Sequence, residues 1–311
     1  MSKAKPNVLI TGSAGFVGGY LTEFLQTKGF EVFGTRMAHE KESPNTFVLD
    51  VNNIPNFEEV LNESKPEMIF HLAGFSSVGQ SLEQAELCMK VNYEGTKNLL
   101  DSCRKICPQT KVLIIGSSEV YGKPEFLPIT EDHPLKGENP YAISRIKQGT
   151  LLEDYKDLQT YWTRSFNHTG PGQRLGFVVP DFTSQIAKIK LEGKENKIMV
   201  GNLEVARDFS DVRDIVRGYF EILDKGEPHT FYNICSGYAI ELKDLMDKLI
   251  KIAGVDVEVV VDPAKYRPND VLKYFGSYEK LNKKTGWKPE ISIDQTLKDT
   301  FDYWIKTLQI N

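Results

Sequence analysis

The stretch "NVLITGSAGFVGGYL", Asn7 to Leu21, constrains this chain more than any other. It begins as a short apolar run that reads as a buried strand. Three glycines follow at Gly12, Gly15 and Gly18, and an amphipathic run opens at Phe16. A strand that passes through a glycine turn directly into a helix has a physical use for each glycine. Gly12 makes the tight turn, Gly15 lets the backbone approach a pyrophosphate at the helix N-terminus, and Gly18 lets helix and strand pack closely. Phe16 and Val17 open the helix at that anion. The pattern predicts a dinucleotide-binding unit, which must be continued by further strand–helix pairs.

Those pairs are present. "EVFGT", "TFVLD", "EMIFHLAG" and "KVLIIGSS" read as further buried parallel strands. Helical patterns run between them at Phe16 to Gly29, Asn56 to Ser64 and Leu82 to Cys107. The alternation implies right-handed crossovers and a Rossmann-like, doubly wound parallel α/β sheet. Past Asn167 the pattern loosens. Gly and Pro cluster at "TGPGQ", a helix is expected from about Phe182 to Glu192, and short strands flank "GNLEVARDF". Further helices are expected near Leu242 to Ala253 and Ser292 to Thr307. We read 1–166 as the dinucleotide-binding domain and 167–311 as mainly a smaller α/β substrate lobe over the strand C-termini. Segments near 211–235 are expected to return to the large domain.

Composition narrows the function classes. A net charge of −5 argues against a general nucleic-acid binder and leaves room for a local basic pocket. No apolar run reaches the roughly 18 residues needed to span a bilayer. The N-terminus enters a strand directly, so no signal peptide is expected. Cys88, Cys103, Cys107 and Cys235 show no paired metal spacing, and the five histidines are scattered. We expect reduced thiols, a cytoplasmic protein and no metal.

The end of the second strand carries the choice of cofactor. An acid there would hydrogen-bond a free ribose 2′-hydroxyl. Thr35 and Arg36 stand there instead, and a guanidinium can meet a 2′-phosphate bidentately. NADP(H) is therefore favoured. Glu40 lies nearby and could take a free ribose hydroxyl instead, so NAD(H) is the alternative.

The chemistry is carried further on. "IGSSEVYG" ends the fifth strand with Ser117, Ser118 and Glu119, and about 20 residues later "NPYAISRIKQG" opens a helix with Tyr141. A strand-end serine and a helix tyrosine suit hydride chemistry at a carbinol or ketone. The tyrosine moves the proton and the serine polarises the oxygen.

With these motifs in place, the chain resembles the extended short-chain dehydrogenase/reductases over nearly its whole length. The resemblance rests on the glycine loop, "HLAGFSSV" (His71 to Val78), "VNYEGT" (Val91 to Thr96), "SSEVYG", the Pro-Tyr of the catalytic helix and "TGWKP" (Thr285 to Pro289). The second half is similar to the GDP-mannose branch, through "FNHTGPGQRLGFVVPDF" (Phe166 to Phe182), "VGNLEVARDFSDVRD" (Val200 to Asp214) and "RPNDV" (Arg267 to Val271). Within that branch the likeness is greatest to reductases of GDP-4-keto-6-deoxy-mannose, with the GDP-mannose 4,6-dehydratases as relatives.

The resemblance implies a set of contacts. Asp50 and Val51 would meet the adenine, and Leu72, Ala73 and Gly74 the cofactor beyond the fourth strand. Asn167 and the backbone near Val179 would anchor substrate. Arg207, Arg267 and Lys188 would face the diphosphate, and Asp270 a ribose hydroxyl. The implied activity is NAD(P)-dependent reduction at C4 of a GDP-linked 4-keto-6-deoxy sugar, or the reverse oxidation of a GDP-hexose or heptose, in a homodimer or homotetramer. Glu119 matches the base of the dehydratases, but the reductases share it, so a 4,6-dehydratase is the alternative. The dehydratases' longer loop after the second strand is missing: only about ten residues separate Arg36 from the third strand.

Arg145 departs from the family, which carries lysine four residues after the tyrosine. The lysine binds the nicotinamide ribose and favours the tyrosine phenolate. Position 145 lies about 40° around the helix from Tyr141 and faces the same way. Lys147, roughly 240° around, cannot substitute. Arg145 is expected to keep the electrostatic role, and lysine at this position to be tolerated or to raise the rate. A binding protein with impaired catalysis is the third reading.

Overall fold

The computed structural model describes residues 5–193, 196–262 and 271–310. Seven parallel strands form its central sheet. β1 (Asn7–Thr11), β2 (Glu31–Arg36) and β3 (Thr46–Val48) run outward on one side, and β4 (Met68–His71), β5 (Lys111–Ser117), β6 (Gln159–Ser165) and the strand Phe231–Ile234 on the other. β1 pairs with both β2 and β4, so the strand order reverses between β1 and β4. In doubly wound sheets the ligand crevice lies at the strand C-termini at this reversal.

Consecutive residues of β1 explain the layers. Val8 and Ile10 face a core with Leu21 and Leu25 of α1 (Phe16–Thr27), and Leu9 faces the opposite core with Phe57 and Leu61 of α2 (Ile54–Ser64). Both faces are covered, so the strands are apolar without alternation.

Between β4 and β5 the expected single helix from Leu82 to Cys107 is interrupted. It comprises α3 (Val78–Glu83), α4 (Ala85–Met89), a π-helical turn at Lys90–Glu94 and α5 (Gly95–Ile106). Gln84 leaves helical backbone at φ −129°, ψ 47°. In the wider turn, buried Asn92 accepts from the Phe75 amide and donates to its carbonyl and to Ser144 Oγ. A π-turn of this kind often marks a functional site.

α6 (Pro140–Asp154) carries Tyr141. α7 (Val178–Glu192) begins before the expected Phe182, because Pro180 falls in its first turn, where no backbone amide is needed as a donor. β6 was not marked by the hydrophobic pattern. Its Thr163, Arg164 and Ser165 are buried, and Ser165 Oγ bonds the Tyr219 hydroxyl.

α8 (Val212–Lys225) packs its Ile215, Tyr219 and Ile222 into the core shared with α1, and Phe231–Ile234 extends the sheet beside β6. A further core joins α7, α9 (Leu242–Ala253) and α10 (Ile293–Ile310) through Phe182, Ile186, Leu245, Leu249 and Leu297. Two short strands, Ala206–Arg207 and Lys273–Tyr274, pair in parallel beside it.

Candidate active site

At the crevice, Gly12 adopts φ +73°, and its amide donates to Thr35 Oγ1 at 3.0 Å. Ser13 Oγ donates to the Thr35 carbonyl at 3.0 Å. Thr35 is buried beneath the loop, so its hydroxyl braces the turn from below. A Cβ on Gly18 would fall 2.4 Å from the Gly12 carbonyl oxygen, which excludes any side chain there. Gly15 caps α1 and supplies no side-chain acceptor, so the positive end of the helix is open to an anion. Phe16 stacks edge-on with Tyr20, whose hydroxyl donates to Pro171 O and ties this end of α1 to the "TGPG" turn.

Arg36 stands at the end of β2 with its side chain mostly enclosed. Nη1 donates to the Glu40 carbonyl at 3.2 Å, Nη2 lies 3.8 Å from a Glu42 carboxylate oxygen, and Nε is buried with no partner. The Glu40 carboxylate accepts the Met37 amide at 2.6 Å. Asp50 is exposed and accepts from Asn52, and Val51 is buried against Gly95. The glycine cradle and the uncapped helix end fit the pyrophosphate of a dinucleotide.

A buried polar chain leads from the loop to Arg145. The Thr96 hydroxyl donates to Asn92 O at 2.7 Å and accepts from Gln148 Nε2 at 2.8 Å. Its proton is thus committed, so His71 Nε2, 3.2 Å away, is the donor to it. His71 Nδ1 then accepts from Thr11 Oγ1 at 2.8 Å, and that hydroxyl accepts from the Ala73 amide. Burial, aided by the Arg145 charge, lowers the His71 pKa to about 3 and keeps the ring neutral. Just beyond β4, the Leu72 amide donates to Thr11 O, which keeps Leu72 and Ala73 beside the end of β1.

The predicted catalytic residues lie at the end of β5 and in the first turns of α6, and Asn139 and Glu119 link the two. Ser117 Oγ accepts the Glu119 amide at 3.2 Å. Ser118 offers its carbonyl to the buried Tyr274 hydroxyl. Asn139 Oδ1 caps α6 by accepting from the Ala142 amide at 2.8 Å, while its Nδ2 donates to Glu119 Oε2 at 3.3 Å. Tyr141 follows in the first turn, largely buried. Arg145 is also buried, at 8% exposure, with Cζ 5.3 Å from the Tyr141 ring centre. It points inward. Lys147 lies over Tyr93, 5.1 Å from the ring centre, and so takes no part in the site.

The predicted substrate residues are more scattered. Arg207 donates to Val271 O at 2.6 Å and to Ala206 O, and its charge acts on Tyr274. Burial foremost, then Glu119, raises the Tyr274 pKa. Tyr274 therefore links the catalytic loop to the strand of Arg207, a link that nothing in the sequence marked. Asn167 is exposed at the head of a short strand paired with Phe209–Asp211. Val179 is buried in the first turn of α7. Lys188 lies nine residues further along α7, exposed and 4.0 Å from Glu192, so the structure does not bring it to the others. Arg267 and Asp270 lie outside the described residues.

With this geometry in view, the profile of the GDP-mannose 4,6-dehydratase family matches residues 9–300. The chain belongs to this family. A relative in Pseudomonas aeruginosa, GDP-6-deoxy-D-mannose reductase, is 32% identical over 96% of each chain. GDP-mannose 4,6-dehydratase of Vibrio cholerae is 28% identical over 94% of this chain and 91% of its own. Among solved structures, RMD from Pseudomonas aeruginosa complexed with NADPH superposes with a TM-score of 0.87 at 31% identity, covering 97% of this chain and 99% of that one. The fold is shared with this reductase structure, and the family resemblance read from the motifs is confirmed.

Proposed function

We propose that this protein is an NAD(P)-dependent oxidoreductase that reduces the C4 ketone of a GDP-linked 4-keto-6-deoxy-mannose, with NADPH as the preferred reductant. The observation that carries the reading is the placement of Tyr141 and Arg145 together on α6, with the guanidinium 5.3 Å from the ring centre, beside the β5 end that carries Ser117. It is supported by the 32% identity to GDP-6-deoxy-D-mannose reductase along nearly the full chain.

The cofactor would lie on the Gly12–Gly18 loop, with Arg36 at the adenosine ribose; Arg36's unpartnered Nε supports the phosphorylated form. When bound, the nicotinamide supplies the hydride. Ser117 Oγ polarises the C4 oxygen and Tyr141 delivers the proton to it. Arg145 then offsets the charge left on the phenolate, and, unlike an ammonium, it stays charged throughout the working range. Arg207, with Arg267 and Asp270, is assigned to the GDP moiety, Asn167 and the Val179 backbone to the sugar side, and Lys188 to a peripheral place at most. The free cysteines support a reducing, cytoplasmic setting. We assign the assembly as a homodimer or homotetramer on family resemblance.

The test is mass spectrometry of products from GDP-mannose and from its 4-keto-6-deoxy derivative, each with NADH and with NADPH. The expected result is a product two hydrogens heavier from the keto sugar, faster with NADPH, and no reaction of GDP-mannose. Glu119→Gln should keep most of this activity. Loss of water from GDP-mannose without net cofactor use, abolished in Glu119→Gln, would establish the dehydratase instead.

A further inference from the structure

We propose that Gln148 is a positioning residue which, together with the bare backbone at Gly74, makes this site specific for arginine at position 145. The inference rests on the oxidoreductase reading above. The Arg145 guanidinium is held from three separate elements. Nη1 donates to Ile115 O on β5 and to Gln148 Oε1 on α6, both at 3.0 Å, and Nη2 donates to Phe75 O beyond β4 at 3.3 Å. A Cβ on Gly74 would stand 2.9 Å from Nη2, so the missing side chain is what admits the guanidinium. A planar fork reaches all three acceptors at once, whereas an ammonium radiates its N–H groups from one atom. Lysine in this socket would give up part of this set of contacts and leave the space beside Gly74 unfilled, although Phe75 O would keep its donor in Asn92 Nδ2.

Gln148 is 1% exposed, and its amide is oriented from both ends. Its Nε2 donates to Thr96, whose own proton is committed to Asn92 O, so Oε1 must face Arg145. The amide is also neutral. Among the described residues, every hydrogen-bond acceptor of Arg145 is uncharged. The socket therefore fixes the guanidinium without cancelling its charge, which stays available to Tyr141 5.3 Å away. This argues for the reverse of what the sequence suggests for lysine at this position.

Three variants test the inference: Arg145→Lys, Gln148→Glu and Gln148→Leu. Each is measured for NADPH affinity by fluorescence titration, for melting temperature and for the pH dependence of turnover. Arg145→Lys should weaken NADPH or slow turnover by about tenfold, the scale of one charge-assisted hydrogen bond. Gln148→Glu places a carboxylate on Arg145, and the limb of the profile that reports the proton donor should move to higher pH by about one unit. Gln148→Leu should slow turnover while leaving that limb near its wild-type place. A purely structural glutamine would give both Gln148 variants the same profile, and that result overturns the inference. So does an Arg145→Lys protein that binds NADPH, melts and turns over as wild type does. If the wild-type protein reduces no keto sugar, the functional reading fails on its own. The NADPH affinity and melting of Arg145→Lys then decide the socket independently.

Discussion

His71 shows how much a single buried residue can report. Its ring bridges the phosphate-loop strand and the helix behind Arg145 through Thr11 and Thr96. Burial lowers its pKa to about 3 from the ordinary 6.5. The unfolded chain therefore takes up a proton below 6.5 that the folded chain refuses until about pH 3. Stability is fully present above 6.5 and declines as pH falls across that window. His71→Gln should flatten the decline by about one proton's worth of slope. Urea unfolding of both proteins at a series of pH values measures it, and equal slopes would show that His71 takes its proton in the folded state. At this same scale the sequence was only partly legible. Glycines, Ser117 and Tyr141 announce themselves by type and spacing. Asn92, Asn139, Gln148 and Tyr274 do not, because their roles depend on partners 17 to 156 residues away.

At the scale of the element, α6 joins structure to chemistry through its cap. Asn139 closes the first turn with Oδ1 and holds Glu119 with Nδ2. Asn139→Ala should cost about 1 kcal/mol of stability, typical for a lost N-cap, and release Glu119. Asn139→Asp should keep the cap, and hence most of the stability, while setting a carboxylate against Glu119. Denaturant midpoints for the two variants, read beside their turnover, separate capping from the Glu119 contact. An alanine variant as stable as wild type would show that Pro140 and packing alone start the helix. Elements that bury apolar residues on both faces, such as β1, β4 and β5, were legible from their hydrophobic runs. β6 was not, since its buried Arg164 and Ser165 are satisfied by Tyr121 and Tyr219 hydroxyls and look like surface residues in sequence. The π-turn at Lys90–Glu94 leaves no mark in an apolar pattern, and Pro180 resembles a helix stop although it sits where a helix admits proline.

At the scale of the molecule, the sheet brings the cofactor loop, the serine strand and the tyrosine helix to one edge. The segment after Asn167 stands against that edge. Buried Asp208 accepts from the Ser236 amide and hydroxyl and from the Gly237 amide, anchoring Arg207's strand to the end of the Phe231–Ile234 strand. Tyr274 completes the connection at Ser118. The proposed reaction needs a ketone at Ser117 and Tyr141 and a hydride from the cofactor. The direct measurement is the fate of a label. With NADPH deuterated at the nicotinamide C4 position and the GDP-linked 4-keto-6-deoxy sugar, the account predicts deuterium at the sugar's C4, one label per cofactor oxidised. Tyr141→Phe should slow the transfer by about 10²-fold or more. Label that stays on the cofactor while GDP-mannose loses water, or transfer unaffected in Tyr141→Phe, would contradict it.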